Sequence, residues 1–543
     1  MSKNFKAIAD WQWQLPETLN IGYACTDAVV ERGIGDRTAM IVEDDEQGRS
    51  QYSYAELAKA SSQFAQLLLD NGITAGDRVL IRLPNSLNYP TAFFGSMKMG
   101  AIAVPTSTLL AASEVAYLAN DSSAKVLVMA KSMWAELKDI IASCSDLRLI
   151  LLTGKGELPS DDVPATLIDV NVELPKAKTL EKVVETRPDD PAYLVYTSGT
   201  TGFPKGVLHG HRSLIGRLPA SEFWFQFLED NSQGQERILH SGKFNWTYVL
   251  GSALMDPLFH GKTVIVHEGV NDAELWPRLI QQYECTTFIG VPTIYRQLIQ
   301  KTTYGKKDLP SLRHCMSAGE HLSDEMLTAW RERFDMDVYE AIGMSELSYY
   351  ISQNKYQPIR PGSAGFPQPG HDVHLLDEDL NEVGIDEEGM ICIPESDPGL
   401  FLKYWQLEEE TAAARHSGWF FTGDYARRDK DGYVWFLGRR DDIINTFGYR
   451  VSPHEIERVM NTHPAIADCV ALADEVSKDK VLVGLCVILR EGKDIDKQAL
   501  LDFAGQNLAK YKAPKTIYFM TEFPRTKNGK VIRKQLLQQI KAS

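Results

Sequence analysis

Tyr196-Thr197-Ser198-Gly199-Thr200-Thr201-Gly202-Phe203-Pro204-Lys205-Gly206 is the stretch from which the rest of the chain can be read. The apolar run Ala192 to Tyr196 has the length of a buried strand and leads straight into it. Beyond the strand stand three glycines, four hydroxyl side chains and one lysine. Glycine lets the backbone approach a ligand and turn its N–H groups inward. Hydroxyls and N–H groups then donate to phosphate oxygens, and Lys205 adds a point charge. A polyphosphate is the guest that these residues predict. A polar surface turn is the plain alternative, and the strand entry, the loop length and the lysine argue against it. The loop is not of the Gly-Lys-Ser/Thr type that opens a helix, because Pro204 precedes the lysine and Gly206 follows it.

The stretch resembles instead the phosphate loop of the adenylate-forming superfamily. That group holds acyl- and aryl-CoA synthetases, peptide-synthetase adenylation domains and firefly-type luciferases. Its motifs occur here in the order of that family, and the resemblance runs from about Tyr54 to Lys534. In the first, Thr197, Ser198, Gly199, Thr200, Thr201 and Lys205 would hold the phosphates of ATP. Ser317-Ala318-Gly319-Glu320 resembles the turn whose backbone abuts the acyl group and adenine. Tyr339 to Glu346 ends in Gly-Met-Ser-Glu, where the resemblance implies that Ser345 donates to the α-phosphate and Glu346 holds Mg²⁺. Mg²⁺ is a hard cation that takes oxygen ligands and bridges to phosphates, although a lone loop carboxylate is more often simply solvated. Thr422-Gly423-Asp424 implies that Asp424 accepts the ribose hydroxyls; an Asx turn is its bland reading. In Gly438-Arg439-Arg440-Asp441-Asp442, Arg439 would assist at ribose and phosphate and Asp441 would be the hinge. Gly448, Tyr449 and Arg450 resemble the segment that lines the CoA tunnel. Pro524-Arg525-Thr526-Lys527-Asn528-Gly529-Lys530 gives Lys530 as the catalytic lysine, on spacing alone.

One departure is informative. Many members place an aromatic side chain before the glycine of Gly-x-Thr/Ser-Glu, and this chain has Ile342. Within the family an isoleucine there resembles benzoate-CoA ligase-type enzymes. The resemblance also makes an acyl pocket of Phe244, Trp246, Thr247, Tyr248, Ala318 and Ile342, with Ala341 between acid and adenine. Without it, clustered aromatics such as Phe244, Trp246 and Tyr248 read as ordinary core.

Composition sets bounds around these motifs. A chain of 543 residues exceeds one compact core. Residues from about Ile21 to Pro105 alternate helical and strand patterns, which points to a parallel, helix-flanked sheet. A formal charge of −16 argues against a nucleic-acid or anionic-membrane binder. From Asp441 onward the chain is weakly basic against an acidic body, which suits an anionic ligand shared between the two. Seven scattered cysteines show no metal-ligand spacing and predict reduced, buried thiols. With no signal peptide in Met1 to Gln14 and no membrane span, the expectation is a cytoplasmic protein.

The fold class expected is α/β. Residues 1–440 would form a large domain of helix-flanked sheets that binds ATP and the acid. Residues 441–543 would form a small mobile α+β domain with the catalytic lysine and part of the CoA tunnel. The resemblance implies ATP-dependent activation of an aromatic or short-to-medium monocarboxylic acid, through an acyl-adenylate, to its CoA thioester. ATP, Mg²⁺ and coenzyme A are the implied reactants and cofactor. Loading an acyl or aryl group on a carrier protein is the second reading, and a non-catalytic binding protein the third. A homodimer, and a lysine acetyltransferase with its deacetylase, are the protein partners that the resemblance admits.

Overall fold

The computed structural model describes residues 11–197, 204–228, 235–319, 322–439, 442, 444–446, 449–477, 480–508, 512–525 and 531–542. Residues that position the site lie on seven strands and one helix. They are β1 (Pro191–Thr197), β2 (Lys205–Gly210), β3 (His314–Ala318), β4 (Val338–Ile342), β5 (Lys403–Tyr404), β6 (Trp419–Arg428), β7 (Val434–Arg439) and α1 (Pro453–Met460).

Apolar strands between turn residues build two large sheets. The first runs Thr166–Asp169, Leu149–Thr153, Val126–Ala130, Arg78–Arg82, Ile102–Pro105, β1, β2, β5. Its pairs are parallel as far as β1, in line with the alternation read from the sequence. At the other edge the sheet becomes mixed: β2 folds back antiparallel on β1, and β5 runs antiparallel to β2. The reason is local, because the phosphate stretch is too short for a crossover helix and closes a hairpin instead. The second sheet runs Phe366–Pro367, Ile351–Ser352, β4, β3, Thr287–Gly290, Arg237–His240, Thr263–Glu268, Thr38–Asp44, Gly48–Ser53. Its central strands are parallel, with antiparallel strands at both ends.

Helices cover these sheets with their apolar faces. Tyr54–Asp70 begins in a capping box, Ser53 with Glu56, and buries Leu57, Phe64, Leu67 and Leu68. It meets Asn88–Lys98 at Gly95, where a β-carbon would lie 2.7 Å from the Ser61 carbonyl oxygen. Lys98 is fully buried and pairs with Asp27 at 2.5 Å.

An antiparallel five-stranded sheet carries β6 and β7. A separate small C-terminal domain follows. It holds the hairpin Ile444–Thr446 with Tyr449–Val451, helix α1, and the strands Ile466–Ser477, Lys480–Leu489 and Thr516–Phe519. Its own core includes Ile456, Met460, Leu485 and Leu500. All seven cysteines are buried and unpaired. Among the described residues no helix is long and apolar enough to cross a membrane.

Candidate functional site

The two strands that flank the expected phosphate stretch pair antiparallel. Thr197 ends β1 opposite Lys205, which begins β2. Ser198, Gly199, Thr200 and Thr201 lie outside the described residues. Both feet of the hairpin are braced. The Tyr117 hydroxyl donates to the Pro204 carbonyl at 3.3 Å, and the Tyr196 hydroxyl donates to Asp121 at 2.5 Å. The Lys205 ammonium sits 5.5 Å above the centre of the Tyr404 ring.

Gly343 to Glu346 leaves the C-terminal end of β4 as a turn beside this hairpin. The Ser345 carbonyl oxygen accepts from His209 Nε2 at 2.7 Å, and His209 stacks on Tyr193 with ring centres 4.7 Å apart. Burial pushes the His209 ring down to about 3, so it is neutral and Nε2 carries the proton. Glu346 is buried, accepts from the Tyr404 hydroxyl at 2.8 Å, and through its carbonyl accepts from the Phe401 amide at 2.8 Å. Among the described residues no three His, Cys, Asp or Glu side chains gather as a metal cage. One buried carboxylate beside a phosphate hairpin fits Mg²⁺, which keeps waters and takes its other ligands from substrate phosphates.

The residues expected at the nucleotide gather where β3 and β4 stop, the usual crevice of an open α/β sheet. Ala318 pairs with Ala341 there, and Gly319 turns away at φ 98°. A β-carbon at Gly319 would meet the Trp246 ring at 3.1 Å, so glycine lets strand end and indole touch. Glu320 lies outside the described residues. Asp424 on β6 is opposite Arg439 on β7, and Arg439 Nε donates to the carboxylate at 3.2 Å. Burial works to lower the Arg439 pKa, but the carboxylates of Asp424, Glu346 and Asp442 raise it. Gly319, Ala341, Ile342, Asp424 and Arg439 line a cavity of about 410 Å³, together with His454 and Arg533 of the C-terminal domain.

The residues expected at the acid are mostly aromatic. Trp246 and Tyr248 meet edge to face at 5.2 Å, with Thr247 half-buried between them. Phe244 is 1 % exposed and packs on Tyr89, ring centres 5.1 Å apart. Two residues that the sequence reading missed complete the wall. Trp224 lies 6.2 Å from Tyr248 and 5.0 Å from Tyr349, and both belong to the cluster that holds Ala318 and Ala341. Tyr349 fills the space beside Gly251, where a β-carbon would lie 2.6 Å from its hydroxyl. That hydroxyl donates to Asp256, which pairs at 2.9 Å with buried Arg217. The Tyr248 hydroxyl is buried and has no hydrogen-bond partner among the described residues. Paired aromatics at Phe223-Trp224-Phe225 and Tyr349-Tyr350 were the only local signal for this wall.

In the C-terminal domain, Asp441, Gly448 and Lys530 lie outside the described residues. Tyr449 and Arg450 lie on the second strand of the small hairpin, paired with Thr446 and Asn445.

A family model for AMP-binding enzymes matches residues 27–405, well over half of the chain. The chain belongs to the AMP-binding enzymes. The model for the AMP-binding enzyme C-terminal domain matches residues 455–530 of this enzyme. It is 32% identical over 540 residues to a 3-hydroxybenzoate--CoA/4-hydroxybenzoate--CoA ligase of Thauera aromatica, covering 98% of this chain and 99% of that one. A 3-hydroxybenzoate--CoA ligase of Aromatoleum is 30% identical, with 94% of this chain and 95% of that one covered. Among solved structures, an anthranilate CoA ligase in complex with anthranoyl-AMP superposes with a TM-score of 0.85. It is 27% identical and covers 97% of this chain and 98% of its own.

Proposed function

We propose that this AMP-forming acid–CoA ligase activates a monocyclic aromatic monocarboxylic acid. Its reactants are the acid, ATP and coenzyme A, with Mg²⁺ as cofactor. What supports the aromatic reading is the cluster in which Trp224, Tyr248 and Tyr349 pack with Ala318 and Ala341, and Trp246 meets Tyr248 edge to face. Flat π-faces pack a ring well. The hydroxybenzoate and anthranilate ligases among its relatives support the same class.

A carboxylate cannot be displaced directly by a thiol, since oxide would have to leave. Attack of the carboxylate oxygen on the α-phosphorus of ATP expels pyrophosphate and gives an acyl-adenylate, whose AMP then leaves when the thiol attacks. The obstacle in the first step is an anion meeting a polyanion. In this reading the hairpin from Thr197 to Lys205 and Ser345 bind the phosphates, Asp424 and Arg439 hold the ribose, and Lys530 neutralises charge in the transition state. Glu346 would hold Mg²⁺, which supplies Lewis-acid charge neutralisation at the phosphates. Residues 441–543 would then turn at Asp441, so that Lys530 withdraws and Gly448, Tyr449 and Arg450 admit the pantetheine arm. The function is tested by CoA-dependent AMP release with benzoate, hydroxybenzoates, 2-aminobenzoate, cyclohexanecarboxylate and hexanoate. A kcat/KM for hexanoate above that of every aromatic acid rejects the aromatic reading. Transfer to a carrier protein in preference to CoA would favour the second one.

Ala341→Phe is the corresponding variant. Filling the floor should cost about 1–3 kcal/mol for ring acids, a roughly ten- to hundredfold loss, and cost acetate-sized acids less. An equal loss with every acid would put Ala341 in the general scaffold.

We also infer a cytoplasmic homodimer, to be checked by sedimentation, and control of Lys530 by a lysine acetyltransferase and deacetylase. Acetylation removes the charge that the first step needs. Full activity of enzyme shown by mass spectrometry to be completely acetylated at Lys530 would reject that control.

A further inference from the structure

We propose that Tyr404 is a positioning residue that ties the two charged groups of the phosphate site, Glu346 and Lys205, to one another. The inference rests on the reading of Glu346 as the metal-binding carboxylate. Tyr404 belongs to none of the motifs that identify the family in the sequence, and it stands 58 residues from Glu346.

The geometry puts Tyr404 between the two groups. Its hydroxyl donates to Glu346 Oε1 at 2.8 Å, and the Lys205 ammonium lies 5.5 Å over its ring. Hydroxyl and ring face therefore serve different partners: the edge fixes an anion and the face seats a cation. Among the described residues Glu346 Oε2 has no hydrogen-bond partner, which leaves one carboxylate oxygen for an arriving cation.

The backbone of Tyr404 is fixed independently of either group. β5 pairs antiparallel with β2, Tyr404 opposite Val207 and Lys403 opposite Leu208. The next amide, Trp405 N–H, donates to the Gly206 carbonyl at 2.8 Å. Gly206 has no side chain where the strap crosses, and a β-carbon there would lie 2.9 Å from Trp405 Cβ. The Trp405 indole donates to the Asp121 carbonyl at 3.0 Å, and Asp121 also takes the Tyr196 hydroxyl at the foot of the hairpin. The Tyr404 amide itself donates to Thr411 Oγ1 at 3.0 Å. Residues 401–406 thus form a strap along the outgoing strand of the phosphate hairpin. The strap grips the far side as well, since the Phe401 amide donates to the Glu346 carbonyl and the Phe401 ring packs on Tyr404 at 4.8 Å. A carboxylate that binds metal loses affinity when the group orienting it is removed, by about 10–100-fold in known metal sites.

The test uses the full chain and Mn²⁺, whose binding with α,β-methylene-ATP is read by electron paramagnetic resonance without turnover. Tyr404→Phe keeps the ring and every packing atom but loses the donor to Glu346. We expect Mn²⁺ binding to the complex to weaken about tenfold, while metal-free affinity for the ATP analogue stays within twofold. Tyr404→Leu removes the cation's seat as well and should weaken both. In a Glu346→Gln background, Tyr404→Phe should change Mn²⁺ binding no further. An unchanged Mn²⁺ affinity in Tyr404→Phe, an equal loss of metal-bound and metal-free nucleotide, or an undiminished effect in the Glu346→Gln background each overturns the proposal. Glu346→Gln that binds Mn²⁺ as tightly as the parent overturns instead the reading of Glu346 as the metal ligand.

Discussion

Lys530→Ala should slow acyl-adenylate formation about 10²–10³-fold, the usual effect of removing one group that meets developing charge in a transition state. Thioester formation from synthetic acyl-adenylate and CoA should stay near the parent rate, because no pyrophosphate leaves in that step. Gly448→Trp should give the opposite pattern. If the pantetheine arm passes Gly448, an indole there blocks thioester formation while acyl-adenylate accumulates. Pyrophosphate release in the absence of CoA measures the first half-reaction, and thiol consumption with added adenylate measures the second. If both variants lose both steps equally, alternation of the C-terminal domain between two active arrangements is refuted. A glycine needed only for a backbone turn at 448 would also impair both steps, and would show as a lowered melting temperature of that variant.

What was legible in the sequence was what is local. The phosphate stretch could be read because a strand entry, glycines, hydroxyls and a lysine fall within eleven consecutive residues. Its return as β2, antiparallel, was not, since nothing in the loop itself says which way the next strand runs. The floor at Ala318 and Ala341 comes from two motifs read separately, which parallel pairing of β3 and β4 places side by side. Trp224, Tyr349 and Tyr404 were passed over for a common reason. Each reaches the site from an element with its own ordinary core pattern, and only tertiary pairing gives it a functional neighbour.

Four buried histidines should make the large N-terminal region lose stability steeply below neutral pH. Burial pushes His209 and His240 down to about 3, and His211 and His314 down to about 4. Each has one ring nitrogen committed in the neutral form. His209 Nε2 donates to the Ser345 carbonyl and His314 Nε2 to the Trp224 carbonyl. His211 Nδ1 accepts from the Ile21 amide, and His240 Nδ1 from the Gly242 amide. These are bases whose folded pKa lies below the unfolded value of about 6.5. Above that pH both states are neutral and nothing is lost. As the pH falls from about 6.5 toward 4, the unfolded chain takes up protons that the folded one refuses, so stability falls with pH. Asp256 works the other way, since burial pushes it up to about 6 despite Arg217, and it offsets about one of the four protons. The net uptake of about three protons amounts to roughly 4 kcal/mol per pH unit well below 6.5, against a total stability of about 5–15 kcal/mol. Cooperative unfolding is therefore expected near pH 5, before most carboxylates protonate. Calorimetric midpoints between pH 8 and 5 at fixed ionic strength measure the uptake directly. Fewer than one proton taken up per molecule between pH 6 and 5 would contradict the neutral, buried assignment. His211→Asn offers the cleanest control, because an amide oxygen can still accept from Ile21 but cannot titrate. It should reduce the uptake by about one proton and so make the enzyme more resistant to acid than its parent.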